Sequence, residues 1–251
     1  MVSLMSSRSL RDLFFKVRYG FKGVPFKIAD QTIRLDESLR RWHIGAESGV
    51  HQILGESLRS GDVFIDVGAN FGLHTLYSAK LVGTKGNVFA FEPVPSHLNL
   101  LRKNVALSGV EQQVTIVPKA VSNSVEPFLA FYLPPEEVAV TASLHAASEN
   151  LQKTQVANVR LDDYWRNIDL PIHFIKIDVE GAEMEVLRGA KNLLKKWQPK
   201  LLIEVHGFAL PNFGSSVDEL RSFLKDLGYK ERLLEGEHFR GEDYFQALYL
   251  Q

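Results

Sequence analysis

The chain has 251 residues, 45% of them apolar and 24% charged, enough for one large α/β domain or two small ones around a sizeable core. Basic and acidic residues nearly balance at a formal net charge of −1, which argues against broad binding to a nucleic-acid backbone, and no nucleic-acid partner is expected. There is no cysteine, so disulfides, thiolate metal sites and thiol nucleophiles are excluded and a cytoplasmic setting is favoured.

The first segment, "MVSLMSSRSLRDLFFKVRYGFKG", lacks the uninterrupted apolar run of a signal peptide, and no later stretch approaches membrane-spanning length. Its Arg8, Arg11, Lys16 and Arg18 alternate with Leu10, Leu13, Phe14, Phe15 and Val17, as in an amphipathic helix lying on a membrane or a partner or, the preferred reading, in a surface helix packed on its own domain. "PFKIADQTIRLD" reads as two short strands around a turn at Asp30-Gln31. Residues 47–59 then place Val50, Ile53, Leu54 and Leu58 on one helical face, with Gly61 beyond the end. Residues 1–60 thus read as a helix and strand extension packed on a main domain of residues 61–251.

"DVFIDVG" is a continuous apolar run, the pattern of a strand covered on both faces. A helix over Leu73–Leu81, a strand at "GNVFAFEP", a helix in "PSHLNLLRKNVALSG" and a third strand at "QVTIVPKAVS" follow. "IHFIKIDVEG" is a fourth strand, "AEMEVLRGAKNLLKKW" a helix, "PKLLIEVHG" a fifth strand and "SVDELRSFLKDLGY" a helix capped near Ser216 or Asp218. "YKERLLEG" and "DYFQALYL" close the chain as an antiparallel pair. The alternation predicts an α/β fold, a doubly wound, mostly parallel seven-stranded sheet with an antiparallel C-terminal strand. Residues 123–170 interrupt it as an inserted hairpin or loop, of the kind that often forms a lid.

Asp66, Gly68, Asn70 and Gly72 end the first buried strand in a turn. In an open α/β sheet, ligands bind beyond such strand ends. The dinucleotide spacing G-x-G-x-x-G is absent, and the turn alone is either a cofactor cradle or a ligand-free bend. Asn70 stands where a glycine would be usual, and asparagine tolerates left-handed geometry. Glu92 ends the second strand about 20 residues beyond the turn, where a carboxylate can bond both hydroxyls of a ribose. The two features together point to a nucleoside site.

"DVGANFG", "FEP", "VPKAVSNS", "VRLDDYW", "IKIDVEGAEMEVLRGA" and "PKLLIEVH" together resemble the FkbM family of class I methyltransferases, over about residues 61–208. The resemblance implies S-adenosylmethionine as cofactor. It implies that Asp66, Gly68, Asn70 and Gly72 hold its methionine and ribose parts, that Glu92 binds the ribose hydroxyls, and that Pro93, Ala120 and Val121 lie against the adenine. It places Asp178 near the cofactor amino group or the acceptor. The implied acceptor is a small molecule or glycan bearing a hydroxyl.

A hydroxyl is a poor nucleophile and needs a base. Asp178, Glu180, Glu204 and His206 stand at neighbouring strand ends, and Glu204 and His206, two apart in a strand, point the same way. His206 is the natural base by its ordinary pKa. Alternatively it bonds a nearby loop while Glu180 caps the following helix. The same side chains are able to ligate a divalent metal, but no spacing fixes a ligand set and none is expected. His74 either faces the sulfonium pocket or packs, and Thr141 to His145, "TASLH", offer hydroxyls and an imidazole in the inserted segment. The rival readings are N-methylation of a small amine or a protein, which needs no strong base, and a non-catalytic module that keeps the cofactor pocket. The oligomeric state is left open.

Overall fold

The computed structural model describes residues 17–40, 48–133, 152–234 and 240–251. The proposed N-terminal surface helix falls almost entirely outside these residues, and "TASLH" falls wholly outside them. A β-hairpin comes first, β1 (Val24–Ile28) and β2 (Gln31–Leu35), paired from Val24↔Leu35 to Ile28↔Gln31. Its turn is Ala29-Asp30, one residue earlier than the sequence suggests, and Ala29 takes a left-handed φ of 51° there.

The main sheet is built from β3 (Val63–Val67), β4 (Asn87–Phe91), β5 (Val114–Val117), β9 (Phe174–Ile177), β10 (Lys200–Val205), β11 (Lys230–Leu234) and β12 (Phe245–Leu250), in the order β11-β12-β10-β9-β3-β4-β5. All neighbours from β5 to β10 are parallel, and β12 runs antiparallel to both β10 and β11. This is the mostly parallel seven-stranded sheet the alternation predicts. The order reverses between β3 and β9, so the C-terminal ends of these two strands border the switch point where ligands bind.

Strand alternation divides the core between two faces. Val63, Ile65, Val67, Ile175, Ile177, Leu201 and Ile203 pack with Met184, Leu187, Leu194, Leu220 and Leu224 from α5 (Glu183–Gly189), α6 (Lys191–Trp197) and α7 (Val217–Asp226). Phe64, Val88, Phe174 and Leu202 pack with Ile53, Leu54, Leu76 and Leu101 from α1 (Ser48–Ser57), α2 (Leu73–Val82) and α3 (Pro95–Ser108). Ser216 caps α7 through its side chain, accepting from the Glu219 N–H.

The hairpin rests on the second of these faces. Ser108 Oγ accepts from the Arg34 N–H at 2.9 Å, and Asn104 Oδ1 accepts from the Asp36 N–H at 2.7 Å. Asn104 also donates to the Phe71 carbonyl at 2.8 Å, so one fully buried side chain joins the N-terminal hairpin to the glycine turn.

Two predicted elements are each broken in two. "QVTIVPKAVS" is not one strand: Pro118 lacks the N–H a ladder needs, β5 ends before it, and β6 (Ala120–Val121) leaves the main sheet. β6 pairs with β8 (Gln152–Val159), which pairs with β7 (Phe128–Leu133), giving the inserted segment its own three-stranded sheet. A short helical turn, α4 (Leu161–Tyr164), follows. The predicted long helix after β9 breaks at Ala190. Gly189 lies so close to the Ser122 carbonyl that a Cβ there would come within 2.3 Å of it, and Ala190, next in the chain, leaves helical geometry at φ −114°.

Candidate active site

The turn after β3 is left-handed at Gly68 (φ 83°), Asn70 (φ 51°) and Gly72 (φ 96°). Asparagine occupies this conformation at smaller cost than other non-glycine residues. Gly68 is required by packing as well as by its φ. Its backbone presses on the end of β9, and a Cβ there would lie 1.8 Å from the Asp178 carbonyl oxygen. Gly72 is similarly confined by the Leu101 side chain. The glycines let two strand ends and a helix close together, and a cavity opens above them.

That cavity is lined by the turn (Gly68, Asn70), by the end of β4 (Glu92, Pro93), by Ala120 and Val121 of β6, and by Asp178, Glu180 and Glu204. Nine residues predicted from dispersed parts of the chain thus share one wall. Asp66, Gly72 and His206 stand outside the lining and act from behind it. Asp66 is buried beneath the turn, accepting from Thr75 Oγ1 at 2.6 Å. Burial pushes its carboxyl upward, opposed by the charge of Lys176. It shapes the turn and does not reach into the cavity.

Glu92 is fixed before any ligand arrives. Its Oε2 accepts from the Asn70 N–H at 2.8 Å and its Oε1 from the Val94 N–H at 2.9 Å, with His97 Nδ1 3.2 Å from Oε1. Oε2, with one partner, retains a second acceptor site directed at a ligand. A carboxylate aimed at a cavity whose other walls are Val94, Ala120, Val121 and Phe131 suits a nucleoside: diol on the acid, base among apolar side chains. The opposite end of the cavity is acidic and suits a sulfonium. These residues therefore fit S-adenosylmethionine.

The acidic end follows from strand register. Asp66 on β3 lies opposite Lys176 on β9, and Lys176 lies opposite Leu202, two residues before Glu204 on β10. Lys176, 2% exposed, bonds Asp178 Oδ2 at 3.0 Å. Burial alone would lower its pKa, but Asp178, Asp66 and Glu204 outweigh burial and hold it above the usual lysine range. For Asp178 burial works upward, and Lys176 and His206 reverse it, leaving the carboxyl below its ordinary value. Lys176 lines the cavity and escaped sequence reasoning. The signal was a lysine inside the apolar run "FIKI", two residues before Asp178 and so on its side of the strand.

His206 differs from the expected free base. Its Nδ1 lies 2.9 Å from Glu183 Oε1, and its Nε2 lies 3.4 Å from Glu180 Oε2 and 3.9 Å from Glu204 Oε1. Burial would lower the imidazole, but the Glu183 hydrogen bond and the surrounding acids raise it to about 9. It is an imidazolium at neutral pH. Glu180, pushed up to about 7 by burial against the pull of His206, is the group poised near neutrality. Nor does Glu180 cap α5. Glu183, fully buried, accepts from the Gly181 N–H at 2.9 Å, and Glu180 holds a left-handed φ of 53° that turns its side chain toward the cavity.

Glu204 receives Tyr244 Oη and, at 3.0 Å, Gln246 Nε2, both from the β12 side; burial raises its carboxyl, reinforced by Asp178. Asp178, Glu204 and His206 offer ligand atoms within 4.8 Å of one another, a spacing open to a cation among the described residues. Lys176, Tyr244, Gln246 and Glu183 already engage those side chains. His74 lines the cavity floor and packs against His51 of α1 with ring centroids 5.3 Å apart; burial holds it well below the usual histidine range, so it is neutral.

Comparison with known proteins agrees with this geometry. The family described as the methyltransferase FkbM domain matches residues 66–231, beginning at the aspartate beneath the turn. The hexuronic acid methyltransferase AglP of Haloferax volcanii is 29% identical over 174 residues, 68% of this chain and 67% of that protein. The methyltransferase sdnD of Sordaria araneosa is 27% identical over 200 residues, 61% of this chain and 75% of that protein. A methyltransferase structure from Streptococcus mutans, in complex with SAH, superposes with a TM-score of 0.51 at 13% identity, covering 81% of this chain and 96% of that one. No helix among the described residues is long and apolar enough to cross a membrane. The chain belongs to the FkbM-domain family and is an S-adenosylmethionine-dependent methyltransferase.

Proposed function

We propose that this enzyme methylates a hydroxyl group, on a sugar, glycan or small natural product, with Glu180 receiving the hydroxyl proton. The observation that carries this reading is the Glu180 carboxylate on the cavity wall, held 3.4 Å from His206 Nε2. The bound cofactor supplies an electrophilic methyl on a positively charged sulfur. The chain supplies alignment and a place for the proton.

Glu92 and the glycine turn anchor the nucleoside end. Asp178, kept ionised by Lys176, faces the cationic end. Glu180 accepts the proton at its carboxylate as the acceptor oxygen bonds to carbon, and His206, protonated and fixed by Glu183, stabilises the ionised form of Glu180 before transfer. His206 thus becomes a positioning residue, and Glu180 takes over the role first assigned to it. The activity named for the Haloferax relative, on a hexuronic acid, supports a sugar as acceptor.

Glu180→Gln keeps the shape and removes the proton acceptor. Transfer should slow by about 10²–10⁴-fold, with cofactor affinity by calorimetry unchanged. Full activity in this variant would sink the hydroxyl reading and favour an amine acceptor.

A further inference from the structure

His97 sits in the first turn of α3, which Pro95 opens just beyond the end of β4. It lines the cavity together with Glu92, Val94 and Ala120, yet it is only 3% exposed. Its Nδ1 lies 3.2 Å from Glu92 Oε1, an oxygen that also accepts from the Val94 N–H. A carboxylate oxygen only accepts, so the proton between ring and acid belongs to Nδ1. That hydrogen bond selects the tautomer and leaves the lone pair on Nε2. Nε2 is buried and has no hydrogen-bond partner among the described residues. A buried acceptor left unpaired is costly, and a ligand that fills it removes the cost.

The same bonding limits Glu92. Its Oε1 is engaged by both Val94 and His97, and its Oε2 accepts from the Asn70 N–H and keeps one open site. A ribose presents two adjacent hydroxyls, each with a proton to donate. The acid offers a place for one of them. The other needs a second acceptor on the same wall. Lys119 and Lys176 line the cavity but only donate. The Asn70 side chain is half-buried and able to keep water. His97 Nε2 is the acceptor whose only route to a partner is the ligand.

We propose that His97 completes the ribose site: Glu92 Oε2 accepts from one hydroxyl of the cofactor and His97 Nε2 accepts from the other. Glu92 then has two tasks, binding one hydroxyl and setting the histidine tautomer that binds its neighbour. The pair requires an intact diol and so selects a ribonucleoside over either deoxy form. This inference concerns the cofactor end of the cavity and is independent of the methyl acceptor.

The test is calorimetric titration of the full chain with S-adenosylhomocysteine and with its 2′-deoxy and 3′-deoxy analogues. The parent should bind each deoxy analogue about three- to tenfold more weakly than the intact ligand, one for want of the Glu92 contact and one for want of the His97 contact. His97→Asn places an amide N–H near the Nδ1 position, keeping the donor to Glu92 and removing Nε2. It should bind the intact ligand about three- to tenfold more weakly than the parent does. One deoxy analogue, the one lacking the hydroxyl that His97 receives, should bind His97→Asn and the parent alike. The other should lose affinity in His97→Asn as the intact ligand does. In parent protein labelled with 15N-histidine, the ring should carry its proton on Nδ1, and its Nε2 signal should move upfield when S-adenosylhomocysteine binds. Equal losses for all three ligands in His97→Asn would make His97 a packing residue and overturn the proposal. So would an unchanged affinity in that variant, a parent indifferent to either deoxy analogue, or an Nε2 signal that ligand leaves in place. The last two measurements need only the parent, so they decide the matter even if the variant fails to fold.

Discussion

The turn after β3 and the turn after β9 leave adjacent parallel strands, and each holds one non-glycine residue left-handed, Asn70 at φ 51° and Glu180 at φ 53°. They use that geometry differently. The first turn presents backbone: its Asn70 N–H positions Glu92, and its glycines let the Asp178 carbonyl and the Leu101 side chain approach. The second turn presents side chains, directing Glu180 at the cavity while Glu183 seals the backbone beneath it. A backbone cradle depends on a few residues at fixed spacing. An acidic cluster depends on charges arriving from β9, β10 and α5 and on hydrogen-bond donors from the β12 side.

The sharpest way to break this comparison is to remove the charge that the second region depends on. Lys176→Met leaves Asp66, Asp178 and Glu204 facing one another without their shared cation. Unfolding in urea at pH 7 should show a loss of about 3–5 kcal/mol, the cost of stranding buried charge. The loss should shrink as the pH falls. Without Lys176 the native carboxyls titrate above their unfolded values, so the folded state binds more protons and stability declines as pH rises. A Lys176→Met protein as stable as the parent at pH 7, or equally destabilised at pH 5, would show that these acids do not rely on Lys176.

The same contrast governs what the sequence could reveal. "DVGANFG" and Glu92 are legible because backbone geometry restricts residue choice locally, and because an acid about 20 residues downstream is a short-range relation. Asp178, Glu180, Glu204 and His206 could be gathered as strand-end residues, but their roles could not. The imidazole is raised by Glu183, a residue whose complete burial emerges only when α5 packs under the turn. Tyr244 reaches Glu204 from 40 residues away through an antiparallel strand. The two broken elements failed for local reasons visible in hindsight: Pro118 within a run of β-formers, and Gly189 within a helix.

A smaller effect is expected where a carboxylate acts on a ligand and not on its neighbours. Glu92→Ala should weaken S-adenosylmethionine binding by about 1.5–3 kcal/mol, the value of a hydrogen bond to a charged group, read by calorimetry. It also frees the Asn70 and Val94 N–H groups, so Glu92→Gln, which retains an acceptor for one of them, should fall between parent and alanine. An affinity unchanged in Glu92→Ala would remove this residue from the cofactor site and leave the first turn as a structural bend.

The mildest substitution separates the two turns most cleanly. Asn70 contributes its left-handed backbone and its N–H to Glu92, both of which glycine also provides. Asn70→Gly should therefore change stability and cofactor affinity by less than about 1 kcal/mol, the chain-entropy cost of a glycine. Asn70→Val, which resists that conformation, should cost about 1–3 kcal/mol. Glu180→Gly relaxes the same φ and should be at least as stable as Asn70→Gly, yet it removes the carboxylate from the cavity and with it the methyl transfer. Equivalent glycine substitutions would then give one active protein and one inactive protein of similar stability. If Asn70→Gly loses activity as Glu180→Gly does, the asparagine side chain has a role in the site and the first turn is not purely a backbone device.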